Sequence, residues 1–450
     1  MTAPGMVSQQ EKGVLMGQSV FGRGLVVTLV CAGMLGGASA ASAGRSEHPV
    51  TGWVTQTMAP LDRVDPAGSL DDLAPLRESV RQAQIVGLGE SVHGASEELR
   101  LKHRVLRVLV EQLGFRSIAW EDQWTTGVEV DEYISGGAVD LGVVLGNLGP
   151  MWQNHEVADV LLWLRDFNKG RADKVRFVGV EYYLTGLSAY DAVDAFVART
   201  APERLAEVRA HLRVIRPASA DIFGHIAKYQ AIVDKQPFIT AAQKVHDLVT
   251  SLPHKPGDRA HALAVGHARQ IKFFYEHYSR SAADGLVYRD ARAAENLRWW
   301  RDHSGDKVAY WAASPHVANA PHLRIAIPPD PDMRFASAGS YLRDWYGRRY
   351  VPIGFTFDHG TVSVSPGETV ALPAPPRHWF EWPLGAVRAD QFAVDLRVPA
   401  PPEVRSWLRA PIVTRGLPDR GPGSYTSGGS VGQWFDVIVH RQKVTPAQPV

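Results

Sequence analysis

The stretch IVGLGESVHG, residues 85–94, determines how the rest of the chain is interpreted. Its apolar start is typical of a buried strand, and Glu90 and His93 follow in its polar second half. Ligands of open parallel sheets collect beyond the carboxyl ends of the strands, so both side chains are candidate functional residues. Gly87 and Gly89 are expected either to let the backbone turn sharply and approach a substrate, or to serve chain geometry alone.

Short apolar runs that end in a polar residue recur along the chain between amphipathic helical stretches. This alternation predicts an α/β protein with a mostly parallel central sheet flanked by helices. Little strand character is found at about 200–300, which predicts an inserted helical subdomain. The final ~80 residues, rich in proline and glycine, are expected to form mostly loops, with a last strand that closes the sheet. The predicted strands are Gln84–Gly87, Arg116–Trp120, Val175–Val180, Val308–Trp311, Val351–Phe357 and Trp434–Val439.

Titratable side chains follow four of these strands. Glu90 and His93 follow the first strand, Glu121 with Asp122 the second, Glu181 the third and His316 the fourth. If they converge on one edge of the sheet, burial and mutual repulsion raise carboxyl pKa values and hold a histidine near its working range, which suits general acid–base chemistry. Taken singly, each has a structural explanation, since strand-end carboxylates accept hydrogen bonds from loop amides.

A helix is predicted between the first two strands. Ser96 is expected to cap its start, Glu97 and Glu98 suit the positive end of its dipole, and Gly114 is expected to end it.

Composition excludes a bulk electrostatic attraction to nucleic acid or anionic lipid. The 450 residues carry 48 basic and 47 acidic side chains, a formal net charge of +1. The expected partner is a small molecule, with no nucleic acid.

Residues 1–43 are predicted to be a cleavable export signal. Lys12 and Arg23 precede the apolar run Gly24–Leu35, and small residues follow it. That run is too short to span a bilayer, so the mature chain is expected to be exported, either secreted or periplasmic in the cell envelope, with no membrane-spanning segment. Cys31 is the one cysteine and lies in this run, which excludes disulfides, thiolate zinc sites and a cysteine nucleophile from the mature chain.

Residues 85–94, followed by Leu101–Arg104 and Phe115–Glu121, resemble the erythromycin esterase family in sequence and spacing. The resemblance covers most of the chain beyond the predicted signal. It implies that residues 44–450 form one erythromycin-esterase-like catalytic domain, a carboxylic ester hydrolase. Further blocks with this resemblance are Trp152 with Glu156, Trp163–Arg165, Arg289–Asp290, Glu295–Leu297, Trp311–Val317 and Gly339–Gly354.

The resemblance also implies site roles. His93 is expected to be the general base that activates water, with Glu90 and Glu121 beside it. The implied substrate is a macrolide lactone opened at its ester, as in antibiotic resistance. A neutral imidazole that removes the proton of the attacking water contributes about 10²- to 10⁴-fold of the rate. Arg289 is expected to stabilise the developing oxyanion, and His316 completes the predicted catalytic set.

Three residues are expected to contact substrate: Lys102, Trp124 and Glu181. Lys102 stands where some relatives have arginine. The positive charge is kept, but the planar guanidinium, which can make two parallel hydrogen bonds, is lost. Glu181 stands where relatives often have aspartate. Trp124 belongs to a group of tryptophans near the motifs that either line an apolar cleft or pack in the core.

Residues 311–317 depart from the family pattern. Many relatives read Trp-Ala-His-Asn-x-His-Val, whereas this chain has Ala313 and Ser314 in place of the first histidine and the asparagine. One of two paired histidines is therefore missing, so these residues imply an ester or lactone hydrolase without implying that a macrolide is its substrate.

Three alternatives to a water-activating His93 exist, and two of them stay open. A Ser91 nucleophile is disfavoured, because the Gly-x-Ser-x-Gly turn is absent. A metal-dependent hydrolase with His93, His316, Glu90 and Glu121 as ligands is a rival, although no His-x-x-x-His pair is present and the relatives work without a required metal, so no cofactor is expected. The third is a non-catalytic binding protein for an apolar natural product.

Overall fold

The structure is a computed structural model that describes residues 45–421 and 423–450. The predicted export signal, residues 1–43, lies outside these residues, and so does Cys31. Among the helices of the described residues, no helix has the length and apolar character needed to cross a membrane.

Helices and strands alternate through most of the described chain. A π-helical turn, Val108–Gln112, continues α3. The helices are α1 Pro49–Thr57, α2 Ala74–Val80, α3 Ser96–Arg107, α4 Trp124–Ile134, α5 Leu141–Asn147, α6 His155–Asn168, α7 Leu187–Thr200, α8 Leu205–Ile215, α9 Ile222–Ala231, α10 Gln236–Ser251, α11 Arg259–Tyr278, α12 Ala282–Ser304, α13 Ser314–Val317, α14 Ala338–Tyr346, α15 Pro402–Arg409 and α16 Val431–Trp434. The strands are β1 Ala59–Pro60, β2 Ile85–Glu90, β3 Ser117–Gln123, β4 Arg176–Glu181, β5 Val308–Ala313, β6 Leu323–Ile327, β7 Asp330–Phe335, β8 Tyr350–Ser365, β9 Glu368–Leu372, β10 Gln391–Asp395, β11 Pro411–Arg415, β12 Tyr425–Ser430 and β13 Val437–Val444.

The larger sheet is mostly parallel, which confirms the predicted α/β fold. Its parallel part has the spatial order β13-β8-β2-β5-β3-β4. Strand β2 is central and every one of its residues is buried. Because β2, β3, β4 and β5 are parallel neighbours, the residues at their carboxyl ends meet at one edge of the sheet.

The sheet has an antiparallel border that the sequence analysis did not predict. Strand β13 does not close the sheet, because β10 and β1 pair antiparallel beyond it. The proline- and glycine-rich region also contributes β11 and β12, which join β6 and β7 in a second, four-stranded antiparallel sheet. These strands are short and only partly buried, so they lack the apolar alternation that marks a strand in sequence.

The chain between β4 and β5 is helical from Leu187 to Ser304, in helices α7–α12. Buried apolar residues of α7–α11 form a separate core, distinct from the main core on the sheet. The last of these helices, α12, returns to the sheet.

Helix α3 begins differently from the predicted cap. Its N-cap is Ala95, which makes no side-chain cap bond, and the Ser96 hydroxyl donates instead to Glu156. The Glu98 carboxylate reaches back to accept from the backbone N–H of Ser91, at 3.0 Å. Gly114 follows the π-helical turn with a φ of 71°.

Gly87 and Gly89 lie within β2, where they make room for a neighbour rather than a turn. A Cβ on Gly87 would lie 2.6 Å from Val317 Cγ1, and one on Gly89 would lie 2.9 Å from Ser314 Cα. Their missing side chains therefore let α13, which follows β5 directly, pack against the central strand.

The contact between α4 and β4 generates a stability prediction. A Cβ on Gly127 of α4 would lie 2.1 Å from the Gly179 nitrogen of β4, whereas one on Gly146 of α5 would meet nothing within 4 Å. We expect Gly127→Ala to lower the free energy of unfolding by about 1–3 kcal/mol or more, because backbone must move. The matched control Gly146→Ala is expected to raise it by up to about 1 kcal/mol. Urea unfolding measures both, and equal stability of the two variants would contradict this packing.

Candidate active site

The strand-end residues and two helices build one polar site at the carboxyl edge of the sheet. Glu90, Glu121 and Glu181 come from β2, β3 and β4. His316 lies on α13, directly after β5, and Arg289 lies on α12.

His93 is held by a buried carboxylate. Its Nδ1 lies 2.8 Å from Glu90 Oε1, and its side chain is 31% exposed whereas that of Glu90 is 0% exposed. Because a carboxylate only accepts, Nδ1 carries the hydrogen and the lone pair is on Nε2. Burial lowers the pKa of His93, and the positive charges of His316 and Arg289 lower it further against the opposing effect of Glu121. The imidazole is therefore neutral at neutral pH.

Lys102 lies behind Glu90 and not in the cleft. Its ammonium pairs with Glu90 Oε2, stands 4.1 Å from the centre of the Trp311 ring, and its side chain is 0% exposed. Burial holds the pKa of Lys102 well below its ordinary value. The predicted substrate contact does not fit this position, because a fully buried ammonium has no surface to offer. Its contact is with the carboxylate that anchors His93.

Aromatic side chains on the other side of His93 complete a ring of contacts around it. The His93 ring meets Trp152 edge-on at 4.8 Å, and Trp152 meets Trp120 in the same way at 5.2 Å. Trp120 stacks on Trp311 at 4.5 Å, and Trp311 lies under Lys102. The imidazole is therefore one member of a closed ring of contacting side chains. From Lys102 the ring returns to the imidazole through Glu90.

Glu121 is an anion whose two oxygens accept three hydrogen bonds. Its Oε1 accepts from His316 Nε2 and Arg289 Nη2, each at 3.1 Å, and its Oε2 accepts from the Ala313 backbone N–H at 2.8 Å. Burial opposes ionisation, but His316 and Arg289 hold the pKa of Glu121 well below its ordinary value. The residue that replaces the missing histidine, Ala313, keeps a main-chain contact with the site.

His316 is a fixed cation and not a second base. Its Nδ1 lies 2.9 Å from Asp290 Oδ1, and its Nε2 faces Glu121. Although burial opposes protonation, these two carboxylates raise the pKa of His316 to about 10. Asp290, which the sequence analysis did not select, is 2% exposed and also accepts from the Ala338 N–H. Its one sequence signal was its place beside Arg289 in a block that resembles the family.

Arg289 bridges two carboxylates and keeps one donor free. Its Nε donates to Glu181 Oε1 at 2.9 Å, and its Nη2 contacts both Glu181 and Glu121. Within the described part of the chain, Nη1 has no hydrogen-bond partner, and the side chain is 15% exposed. The Tyr183 ring covers the guanidinium at 5.1 Å. Arg289 is therefore placed to donate toward a substrate oxygen.

Glu181 and Trp124 are not placed at an open surface. Glu181 is 2% exposed and lies behind Arg289, where burial raises its pKa. Trp124 is 1% exposed and packs edge-on against Trp299 at 5.7 Å and Trp300 at 6.1 Å. Trp124 therefore packs in the core, which is the second of the two alternatives given for the tryptophans. Its side chain has no exposed surface with which to make the predicted substrate contact.

Two carboxylates that the sequence analysis did not select as site residues, Glu98 and Asp122, hold the loops around the site. Glu98 accepts from the Ser91 hydroxyl at 2.8 Å, so this hydroxyl is engaged with a carboxylate and not with a histidine. Asp122 accepts from the Gly149 N–H at 2.7 Å. Burial raises the pKa of each carboxyl to about 7. Their signal in sequence was weak, because their partners are backbone N–H groups of loops.

A metal would meet positive neighbours here. One ligand atom from each of Glu90, His93 and Glu121 lies within 4.8 Å of the other two, and two carboxylates with an imidazole suit zinc or manganese. However, Glu90 already binds Lys102 and His93 through its two oxygens, and both His316 nitrogens face carboxylates. A divalent cation would have to displace these pairs, which favours chemistry carried by the side chains themselves.

The family model of the erythromycin esterases matches residues 110–444. The chain belongs to the erythromycin esterase family. Over 131 residues it is 31% identical to erythromycin esterase type II of Escherichia coli, a match that covers 29% of this chain and 30% of that protein. Membership supports a hydrolase of this family that acts on a small molecule. The matched range includes Glu121, Arg289 and His316, and it begins after His93.

Solved structures share the fold across most of the chain. A Bacillus cereus protein of known crystal structure superposes with a TM-score of 0.77 at 25% identity, covering 89% of this chain and 98% of that one. An erythromycin esterase mutant in its open conformation superposes with a TM-score of 0.64 at 17% identity, covering 86% and 97%. At 17% identity the second likeness concerns the fold alone.

The charge state of His316 generates a prediction that needs no substrate. Asp290→Asn removes one of the two carboxylates on the ring, so the pKa of His316 should fall from about 10 by about 1–3 units. Histidine NMR titration measures it, with Asp284→Asn, an exposed carboxylate bonded to Ser281, as the control. A His316 pKa that stays at its starting value in Asp290→Asn would show that Asp290 does not set its charge.

Proposed function

We propose that this protein hydrolyses an ester or lactone by direct attack of water, with His93 as the general base. The observation that carries the proposal is the contrast between two histidines of one site. His93 is partly exposed, neutral and anchored at Nδ1, whereas His316 is locked between two carboxylates. When the surroundings of two titratable groups shift their pKa values in opposite directions, the group that stays neutral can act as the base and the charged group cannot.

Water activation follows from this geometry. A water molecule that makes two hydrogen bonds of about 2.8 Å bridges atoms about 4.5 Å apart. One ring nitrogen of His93 and one carboxylate oxygen of Glu121 lie within 4.8 Å of each other, so we place the attacking water beside these two side chains. The imidazole takes the water proton through Nε2 as oxygen attacks the carbonyl carbon. Glu90 stabilises the imidazolium that forms, and the proton then passes to the departing alkoxide as the ester bond breaks.

Charge that develops on the carbonyl oxygen needs a donor. The free Nη1 of Arg289 supplies one, and its position is fixed because Glu121 and Glu181 hold the other nitrogens of the guanidinium. Loss of a preorganised oxyanion donor typically costs about 10²- to 10³-fold in rate. We assign Arg289 this role.

The substrate class within this proposal is an ester or lactone, with a macrolide as one member. Ala313 removes a side chain that many relatives place in the site, so the macrolide assignment does not follow from family membership. We also propose that the protein acts outside the cytoplasm, on the strength of the predicted signal at residues 1–43.

Replacing His93 tests the mechanism. In His93→Gln, kcat/KM on the best substrate from a panel of nitrophenyl esters and macrocyclic lactones should fall about 10²- to 10⁴-fold, because a glutamine side chain cannot take up the water proton. The matched control is His359→Gln, another partly exposed histidine bonded to a carboxylate, Asp358. Full activity of His93→Gln would refute the mechanism. Activity that disappears on chelation would point to the metal-dependent alternative, and macrolide binding without turnover to a binding protein.

The pH dependence of kcat/KM follows from the two histidines. Below its pKa, which lies under the ordinary 6.5, His93 is protonated and cannot accept the water proton. Activity should therefore rise with pH through an acid limb below pH 6.5 and stay level while His316 remains charged, up to about pH 10. Stopped assays in buffers of constant ionic strength measure the profile. A loss of activity between pH 8 and 9, where the Glu98 and Asp122 carboxyls with pKa values of about 7 are already ionised and His316 is still charged, would be incompatible with this assignment.

A further inference from the structure

The last residues of the chain, 445–450, leave the sheet and cross its carboxyl edge. The parallel pairing of β13 with β8 ends at Val444, opposite Gly360. We call residues 445–450 the C-terminal segment. Its hydrogen bonds go to two loops beside the site and to the first residues of α3 and α6, the helices that these loops enter, and not to a further strand of the sheet.

The first of these loops follows His93. The Ala447 N–H donates to the Gly94 carbonyl at 2.9 Å, and the Ser96 N–H donates to the Thr445 carbonyl at 2.9 Å. Glu97 accepts from the Thr445 N–H at 2.7 Å and from its hydroxyl at 2.9 Å. The backbone after the histidine is thus pinned on both sides of an antiparallel bridge between Ala95 and Pro446.

The second loop follows Trp152. The His155 N–H donates to the Gln448 carbonyl at 2.8 Å, and the Gln448 N–H donates to Glu156 at 3.1 Å. A second antiparallel bridge joins Asn154 to Pro449. Since the Trp152 ring packs edge-on against His93, this loop carries the aromatic side of the imidazole environment.

We propose that the C-terminal segment is a positioning element that ties these two loops together and holds His93 and Trp152 in register. The inference rests on the proposed function, in which His93 is the base. The segment touches no reacting atom, so its effect passes through the orientation and water exposure of the imidazole. A misplacement of about 1 Å at a catalytic group can cost about 10²-fold in rate, which is the scale on which such a tie matters.

A chain that ends at Val444 tests the proposal. Without residues 445–450, water should reach the buried side of His93, so its pKa should rise toward the ordinary 6.5. Histidine NMR, assigned with His93→Gln, reads this without any substrate. On a hydrolysed nitrophenyl ester, kcat should fall at least about 10-fold while KM changes less than about 3-fold, because positioning and not binding is lost.

A point variant keeps the test decisive if the shortened chain does not fold. Glu97→Ala removes both bonds to Thr445, and it should move the His93 pKa and kcat in the same direction by smaller amounts. Glu111→Ala is the matched control at the far end of the same helical stretch, where its partner is Arg107. It should change neither quantity.

Two results separate this proposal from the proposed function. A His93 pKa equal to that of the intact chain, in a folded chain that ends at Val444 or in Glu97→Ala, would overturn the positioning role whatever the activity. If the intact chain hydrolyses no ester or lactone while the pKa still moves, the proposed function fails and the positioning of His93 by the segment is supported.

Discussion

Burial of charge is the constraint on which this site depends. An unpaired carboxylate in a protein interior costs several kcal/mol, so a sheet that ends in buried acids must bring cations to them. Each pairing links two different elements, from the consecutive β2 and α3 to β3 and α12, which are far apart in sequence, and so fixes the helices relative to the strands. The buried carboxylates are Glu90, Glu121, Glu181 and Asp290, and their cations are Lys102, Arg289 and His316.

The same charged groups give the two histidines of the site different charge states. His316 receives two carboxylates and becomes a permanent part of the electrostatic frame, whereas His93 receives one carboxylate that is itself neutralised by Lys102. Burial, with the positive charges of His316 and Arg289, lowers the pKa of His93, so this imidazole stays uncharged. Identical side chains at one sheet edge thus differ in charge because the groups around them differ.

The sequence predicts the strands and the residues at their ends well, because parallel strands carry their carboxyl ends to the same edge whatever the loops do. It does not predict which cation serves which acid. Lys102 could be placed on a helix from spacing, but its burial depends on Trp311 from another strand. Asp290 and Glu98 were named only in a family block and at a helix start, and not as site residues, because each has its partners outside its own helix. Partly buried strands such as β12 lack the periodicity that a single face of apolar residues produces.

The ring of contacting side chains that starts and ends at His93 passes through Trp152, Trp120, Trp311, Lys102 and Glu90. In an open row of packed groups, the last member can shift to absorb a change. In a closed ring every side chain has a neighbour on both sides. A change in the volume of any one of these side chains therefore reaches the imidazole from both directions. Residues in contact respond non-additively to replacement. Sequence drift at these positions is therefore expected to proceed by paired exchanges, with single replacements selected against even where they lie far from the reacting atoms.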